Sequence, residues 1–119
     1  MSVLDLLRRI AEVEFSDIVV QTDFLGSKLR VLLVDSTFVD VWASRKLAGR
    51  FGFHWERRHL DGHIYRYDNF PDTHWSDIPS FPFHVHDGVQ DNVIAAPFAQ
   101  DIEQGFRQFM AFVRQRMDN

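Results

Sequence analysis

Over the first fifteen residues the apolar side chains fall at Val3, Leu6, Leu7, Ile10 and Val13. Steps of three and four put them on one face of a helix, and Ser2 followed by Asp5 supplies a capping box with Asp where Glu or Gln is usual. The spacing predicts a helix over about residues 3–12. The period then changes. Residues 17–23, 28–35 and 37–44 are short runs rich in Val, Ile, Leu and Phe, separated by Gly26-Ser27 and Asp35-Ser36, a pattern of successive antiparallel strands. In the third run Phe38, Asp40 and Trp42 alternate with Val39, Val41 and Ala43, so one face is more polar than the other.

Between Gly49 and Asn69 two strand-like runs flank Asp61-Gly62, a pair suited to a two-residue type I′ turn. That turn sets Leu60 opposite His63, His59 opposite Ile64 and Arg58 opposite Tyr65. Alternation puts His63, Tyr65 and Tyr67 on one face and Ile64, Arg66 and Asp68 on the other. Residues 69–97 carry all four prolines, Pro71, Pro79, Pro82 and Pro97, which is loop chemistry, with a short strand or turn around Phe83–His86 as an anchor. Compact domains seldom hold more than about 12–15 structureless residues without a functional reason, so this loop is a candidate site. From about Ala99 the helical period returns, with Ile102, Phe106, Phe109, Met110, Val113 and Met117 on one side and with early acids and late arginines that suit the helix dipole. The expected fold is α+β: an antiparallel sheet of about five strands with an N-terminal and a C-terminal helix packed on it, in a single domain over residues 1–119.

Composition narrows the function more than the fold. The chain lacks cysteine, which removes disulfides, thiol nucleophiles and any Cys-containing zinc site. Most of its 12 Phe are expected to pack the core. The start of the chain does not combine a basic segment, an apolar run and a small-residue cleavage site, and no stretch approaches the roughly 20 apolar residues of a spanning helix, so the expected location is the cytoplasm. A formal charge of −4 argues against strong non-specific binding to nucleic acid through phosphates, while leaving room for a local basic patch.

Candidate chemistry concentrates between His54 and His86. The run His63-Ile64-Tyr65-Arg66-Tyr67-Asp68-Asn69-Phe70-Pro71 joins a guanidinium fork suited to phosphate or carboxylate with phenols that stack or donate, and it ends on turn formers. Two readings compete: a strand that handles a phosphodiester, or an amphipathic strand in which Arg66 and Asp68 interact on one face. His84 and His86 are two apart, so on a strand they point the same way, as metal ligands do, and His74 would complete a three-nitrogen site. No ligand motif such as HExxH accompanies them, and neither a metal nor another cofactor is expected. One imidazole of this set suits acid–base work near neutral pH. Of Trp42, Trp55 and Trp75, the loop residue Trp75 is a candidate anchor for a partner, with packing the ordinary role of all three. Nothing matches a phosphate-cradling glycine loop or a Gly-x-Ser-x-Gly elbow.

Read together, Phe53-His54-Trp55, then Gly62 to Pro71, then Phe81-Pro82-Phe83-His84-Val85-His86-Asp87-Gly88 resemble the signature of the TumE family of toxin–antitoxin toxins. The resemblance spans about residues 17–117 and is most specific in Arg66-Tyr67-Asp68-Asn69 combined with the His84-x-His86 pair. The family often carries two adjacent histidines after the motif proline, whereas Pro71 is followed here by Asp72-Thr73-His74, so the carry-over stops at Pro71 and resumes at Phe81. The resemblance implies a prokaryotic toxin neutralised by a cognate antitoxin protein.

The clustering and the resemblance together lead to the expectation of a toxin-like protein acting on RNA or the translation machinery. Arg66 binds a phosphate, and His63, Tyr67, His84 and His86 join it as the catalytic candidates. Tyr65, Asp68, Asn69, His54 and Trp75 are the candidate substrate contacts. Such a set would cleave RNA without a metal, one group taking the 2′-hydroxyl proton, another protonating the leaving oxygen and Arg66 stabilising the developing charge. A non-catalytic module, in which Trp75 and the proline-rich loop receive an antitoxin segment, is the alternative and suits the negative charge better. A metal-dependent hydrolase using His74, His84 and His86 is a third reading. Unpaired strand edges add the expectation of a homodimer.

Overall fold

A computed structural model describes residues 2–117. Helix α1 (Val3–Glu14) begins at the expected box, with the Asp5 N–H donating to Ser2 Oγ at 3.2 Å and the Ser2 N–H donating to Asp5 Oδ2 at 3.1 Å. Seven strands follow: β1 (Val19–Leu25), β2 (Lys28–Leu33), β3 (Phe38–Ala43), β4 (Phe51–Arg57), β5 (His63–Asp68), β6 (His84–Gly88) and β7 (Val93–Ala95). Each pairs antiparallel with the next, giving one sheet in the order β1-β2-β3-β4-β5-β6-β7. Helix α3 (Ile102–Met117) follows, and Asp101 caps it by accepting from the Gln104 N–H at 3.0 Å. Among the described residues no helix is long and apolar enough to cross a membrane.

Both helices lie on the same face of the sheet. Leu7, Ile10 and Ala11 of α1 and Phe106, Phe109, Met110 and Val113 of α3 bury against Leu29, Val31, Val39, Val41, Phe51, Phe53, Trp55, Tyr65, Tyr67 and Val85. These are alternate positions of the strands, so the intervening residues face away from the helices. Arg107 binds Glu14 and Arg114 binds Asp17, which ties α3 to the end of α1. Gly105 makes the helix fit: a Cβ there would come within 2.6 Å of the Ala99 carbonyl oxygen.

Two expectations need correction. Asp61-Gly62 is not a two-residue turn. Arg58–Asp61 winds into a helical turn, α2, which Gly62 ends at φ 81° by donating its N–H to the Arg58 carbonyl, so positive φ is needed at glycine alone. Asp61 holds both sides of this loop, accepting from Arg57 Nε at 2.8 Å and from the His63 N–H at 3.0 Å. The register therefore pairs Arg57 with His63, Glu56 with Ile64, Trp55 with Tyr65 and His54 with Arg66, replacing the expected pairs of Leu60 with His63, His59 with Ile64 and Arg58 with Tyr65. The second correction concerns residues 69–97: β6 answers to the short strand or turn expected around Phe83–His86, but a 3₁₀ turn at Thr73–Trp75 and strand β7 add order where loop was expected.

Candidate active site on the open face of the sheet

Antiparallel pairing lines up side chains across the uncovered face. Arg30 pairs with Asp40, Asp40 with His54, His54 with Arg66 and Arg66 with His86, a row of five residues on five strands. The adjacent row runs Lys28, Trp42, Gly52, Asp68 and His84. Directly opposed residues share a face, so ten positions dispersed over 59 residues of sequence become neighbours. Two cavities open here and share His54 and Arg66. One, of about 330 Å³, extends over Arg30, Phe38, Asp40 and Trp42. The other, of about 270 Å³, extends over Asp68, Trp75, His84 and His86.

Arg66 lies over Gly52, whose missing side chain leaves that room; a Cβ would come within 3.2 Å of Arg66 Nη2. Its Nε donates to Asp68 Oδ2 at 2.7 Å, and no hydrogen bond to another described residue engages its two terminal nitrogens. Asp68 is buried and also accepts the Phe70 N–H through Oδ1 at 2.9 Å. His84 Nε2 stands 3.3 Å from Oδ1 and His86 Nε2 4.0 Å from Oδ2. The opposite nitrogens of both rings meet backbone carbonyls, His84 Nδ1 with Pro82 at 2.9 Å and His86 Nδ1 with Gln90 at 2.7 Å. A carbonyl only accepts, so each Nδ1 carries a proton and each Nε2 faces the carboxylate.

His54 Nε2 sits 3.1 Å from Glu56 Oε1, and its Nδ1 is buried with no hydrogen-bond partner among the described residues. Burial holds its pKa below the ordinary histidine value, Glu56 opposes that shift, and the charge of Arg66 adds to it. Glu56 itself is held down to about 2, foremost by its hydrogen bonds to the Arg58 guanidinium. Asp40 follows the same direction: burial alone would raise it, but Arg30 and Lys28 together hold it below the ordinary carboxylate value. Trp42 stacks on Phe70 at 5.2 Å between ring centroids, Arg30 lies over the Phe38 ring at 4.0 Å, and Trp75 stands edge-on to His86 at 6.3 Å.

The structure thus brings together Arg66, Asp68, His84, His86, His54 and Trp75. It sends Tyr65 and Tyr67 to the opposite, helix-covered face. Tyr67 is fully buried, donates its hydroxyl to the Ala99 carbonyl at 2.8 Å, and is pushed by burial well above the ordinary tyrosine pKa. His63 is exposed at the start of β5, next to Asp61 and Tyr65. Asn69 is a buried tie whose side chain accepts from the Phe51 N–H and donates to the Gly49 carbonyl. His74 sits exposed on the 3₁₀ turn against Trp75, so the third group beside His84 and His86 is Asp68. Sequence reasoning left out Arg30, Asp40, Gly52 and Glu56. Alternation in β2 and β3 carried a signal for the first two, and a glycine inside a strand pattern carried one for Gly52.

No curated protein and no solved structure matches the chain. The family model described as Toxin TumE matches residues 3–117, a span that includes both rows of the open face, and the chain belongs to the TumE toxin family.

Proposed function

We propose that this toxin acts on RNA, holding a single-stranded segment across the open face and cleaving it at a phosphate bound by Arg66. The observation that carries the reading is the sharing of one open cavity by Arg66 and the imidazoles of His54, His84 and His86. The free Nη1 and Nη2 of Arg66 offer a fork for phosphate oxygens, and the Trp42–Phe70 pair and Trp75 offer flat surfaces for bases on either side. His54, held by Glu56 and kept neutral by burial, lines the place of the 2′-hydroxyl, whose proton passes to water in the open cavity as the 2′-oxygen attacks phosphorus. The 5′-oxygen departs toward the Asp68, His84 and His86 side and takes its proton from water in the open cavity, leaving a 5′-hydroxyl and a 2′,3′-cyclic phosphate. A toxin of this family implies an antitoxin partner, and covering the open face would silence it.

The test is incubation of purified protein with end-labelled single-stranded RNA, with product ends identified, alongside growth of cells expressing the wild type or Arg66→Ala. Cyclic phosphate ends from the wild type, and loss of both cleavage and growth arrest in the variant, support the reading. Intact RNA at every sequence tried, while the protein still arrests growth, overturns it.

A second reading has its own observation: the formal charges of the face nearly balance, since Lys28 and Arg30 pair with Asp40, Arg58 with Glu56 and Arg66 with Asp68. Such a surface suits a protein partner better than naked phosphates. In that case Trp75→Ala weakens antitoxin binding and no RNA is cut.

A further inference from the structure

We propose that Asp68, His84 and His86 are the ligands of one divalent transition-metal ion of the zinc class, held by a carboxylate oxygen and the two Nε2 atoms. One atom from each residue can be chosen so that all lie within 4.8 Å of one another, and all three residues are buried. Asp68 Oδ1 and His84 Nε2 are 3.3 Å apart, close to the edge of about 3.3 Å that tetrahedral bonds of 2.0–2.1 Å produce. His86 Nε2, 4.0 Å from Oδ2, then closes on that pair when the ion binds.

Hydrogen bonding turns the three groups toward one point. The Pro82 and Gln90 carbonyls take the Nδ1 protons of the two rings, which directs both Nε2 atoms to the Asp68 carboxylate. The Nδ1–carbonyl contact is also the outer contact that metal-bound histidines make, fixing tautomer and ring orientation. Arg66 adds an orienting bond to Oδ2, while Oδ1, which also accepts the Phe70 N–H, keeps a second lone pair for the ion. Alternation in β6 presents His84 and His86 side by side, and the pairing of Asp68 with His84 across β5 and β6 completes the set.

Two nitrogens and one carboxylate favour zinc and its neighbours over magnesium or calcium, which take oxygen ligands. Three protein ligands beside a cavity of about 270 Å³ leave an open position for water or a ligand oxygen, the arrangement of a working site rather than a closed structural one. An ion here adds two positive charges where the side chains nearly cancel, which makes the face receptive to an anion. The inference stands independently of RNA as the occupant.

The full-length protein without a histidine tag, dialysed against chelator, is titrated with cobalt(II) chloride under visible absorption and with zinc chloride by calorimetry, with magnesium chloride as comparator. One equivalent of cobalt giving a ligand-field band that zinc displaces and magnesium does not is expected. His86→Ala and Asp68→Asn lower the zinc affinity at least about 100-fold, while the exposed His74→Ala leaves it unchanged. Absence of saturable binding, equal binding of magnesium, or undiminished binding in a folded His86→Ala protein overturns the inference. If circular dichroism shows that variant unfolded, zinc-edge absorption of the wild type decides: two imidazole nitrogens support the site and none overturns it. No RNA enters these measurements, so failure of cleavage and failure of metal binding are read separately.

Discussion

Phe53 and Tyr67 oppose each other across β4 and β5, and one residue further along the same two strands His54 opposes Arg66. The first pair lies under the helices, edge to face at 5.9 Å, with neither residue exposed to solvent. The second lies on the open face and lines both cavities. A shift of one position separates a packing role from a chemical one, because strand side chains alternate with a period of two. The contrast assigns stability to one face and function to the other, and substitution can break either assignment.

The largest expected effect is on the covered face. Phe53 touches Phe51, Tyr67, Phe106 and Phe109 in one aromatic cluster. Phe53→Ala removes that contact and leaves a void, a loss of about 3–5 kcal/mol in urea unfolding. Any residual folded protein at low temperature keeps its activity per folded molecule. A folded Phe53→Ala protein whose activity is abolished would show that the covered face takes part in the chemistry and would break the contrast.

Tyr67→Phe is a smaller and sharper perturbation. The side chain keeps its packing and loses only the hydrogen bond to the Ala99 carbonyl, at a cost of about 0.5–1.5 kcal/mol. RNA cleavage and growth arrest are expected at wild-type levels. Loss of either at unchanged folding would restore Tyr67 to the catalytic set in which the sequence motif placed it.

That residue illustrates how far the sequence reaches. The alternation of β5 already put Tyr65 and Tyr67 opposite Arg66 and Asp68, and grouping all of them in one site followed the motif rather than the geometry. Helices α1 and α3 were legible because their signals are local: a capping box, a 3.6-residue period and charges matched to the helix ends. Strand β6 was legible only as a short strand or turn around Phe83–His86, since it places a single apolar residue, Val85, between two histidines, and β7, only three residues long, was not legible at all. The expected β4–β5 hairpin is present, and its turn and register failed for another reason. An Asp-Gly pair serves a type I′ turn or the end of a helical turn equally well, and Arg57 and His63, which both bind Asp61, decide between them. That choice sets the β4–β5 register and brings His54 to Arg66. Arg30 and Asp40 arrive by cross-strand pairing, which no single segment of sequence encodes.

The smallest effect, and the one that tests the contrast without touching the core, is the acid limb of stability. Glu56 has a folded-state pKa of about 2 against an ordinary value of 4.5, owing first to Arg58, and Asp40 is lowered too; both face away from the helices. Between these values the unfolded chain binds protons that the folded one refuses, so stability rises with pH in that window. The contribution of Glu56 is therefore complete above about pH 5 and fades as pH falls toward 2. Glu56→Gln should lower the urea midpoint at pH 7, and its difference from the wild type should shrink steadily between pH 5 and pH 3. Phe53→Ala removes no titrating group, so its deficit should stay constant over the same range. Two variants in one strand, three residues apart, would then respond to acid in opposite ways, one deficit vanishing and the other unmoved. Parallel pH profiles would mean that the charges of the open face are tied to the packing beneath them, and that the two faces cannot be altered independently.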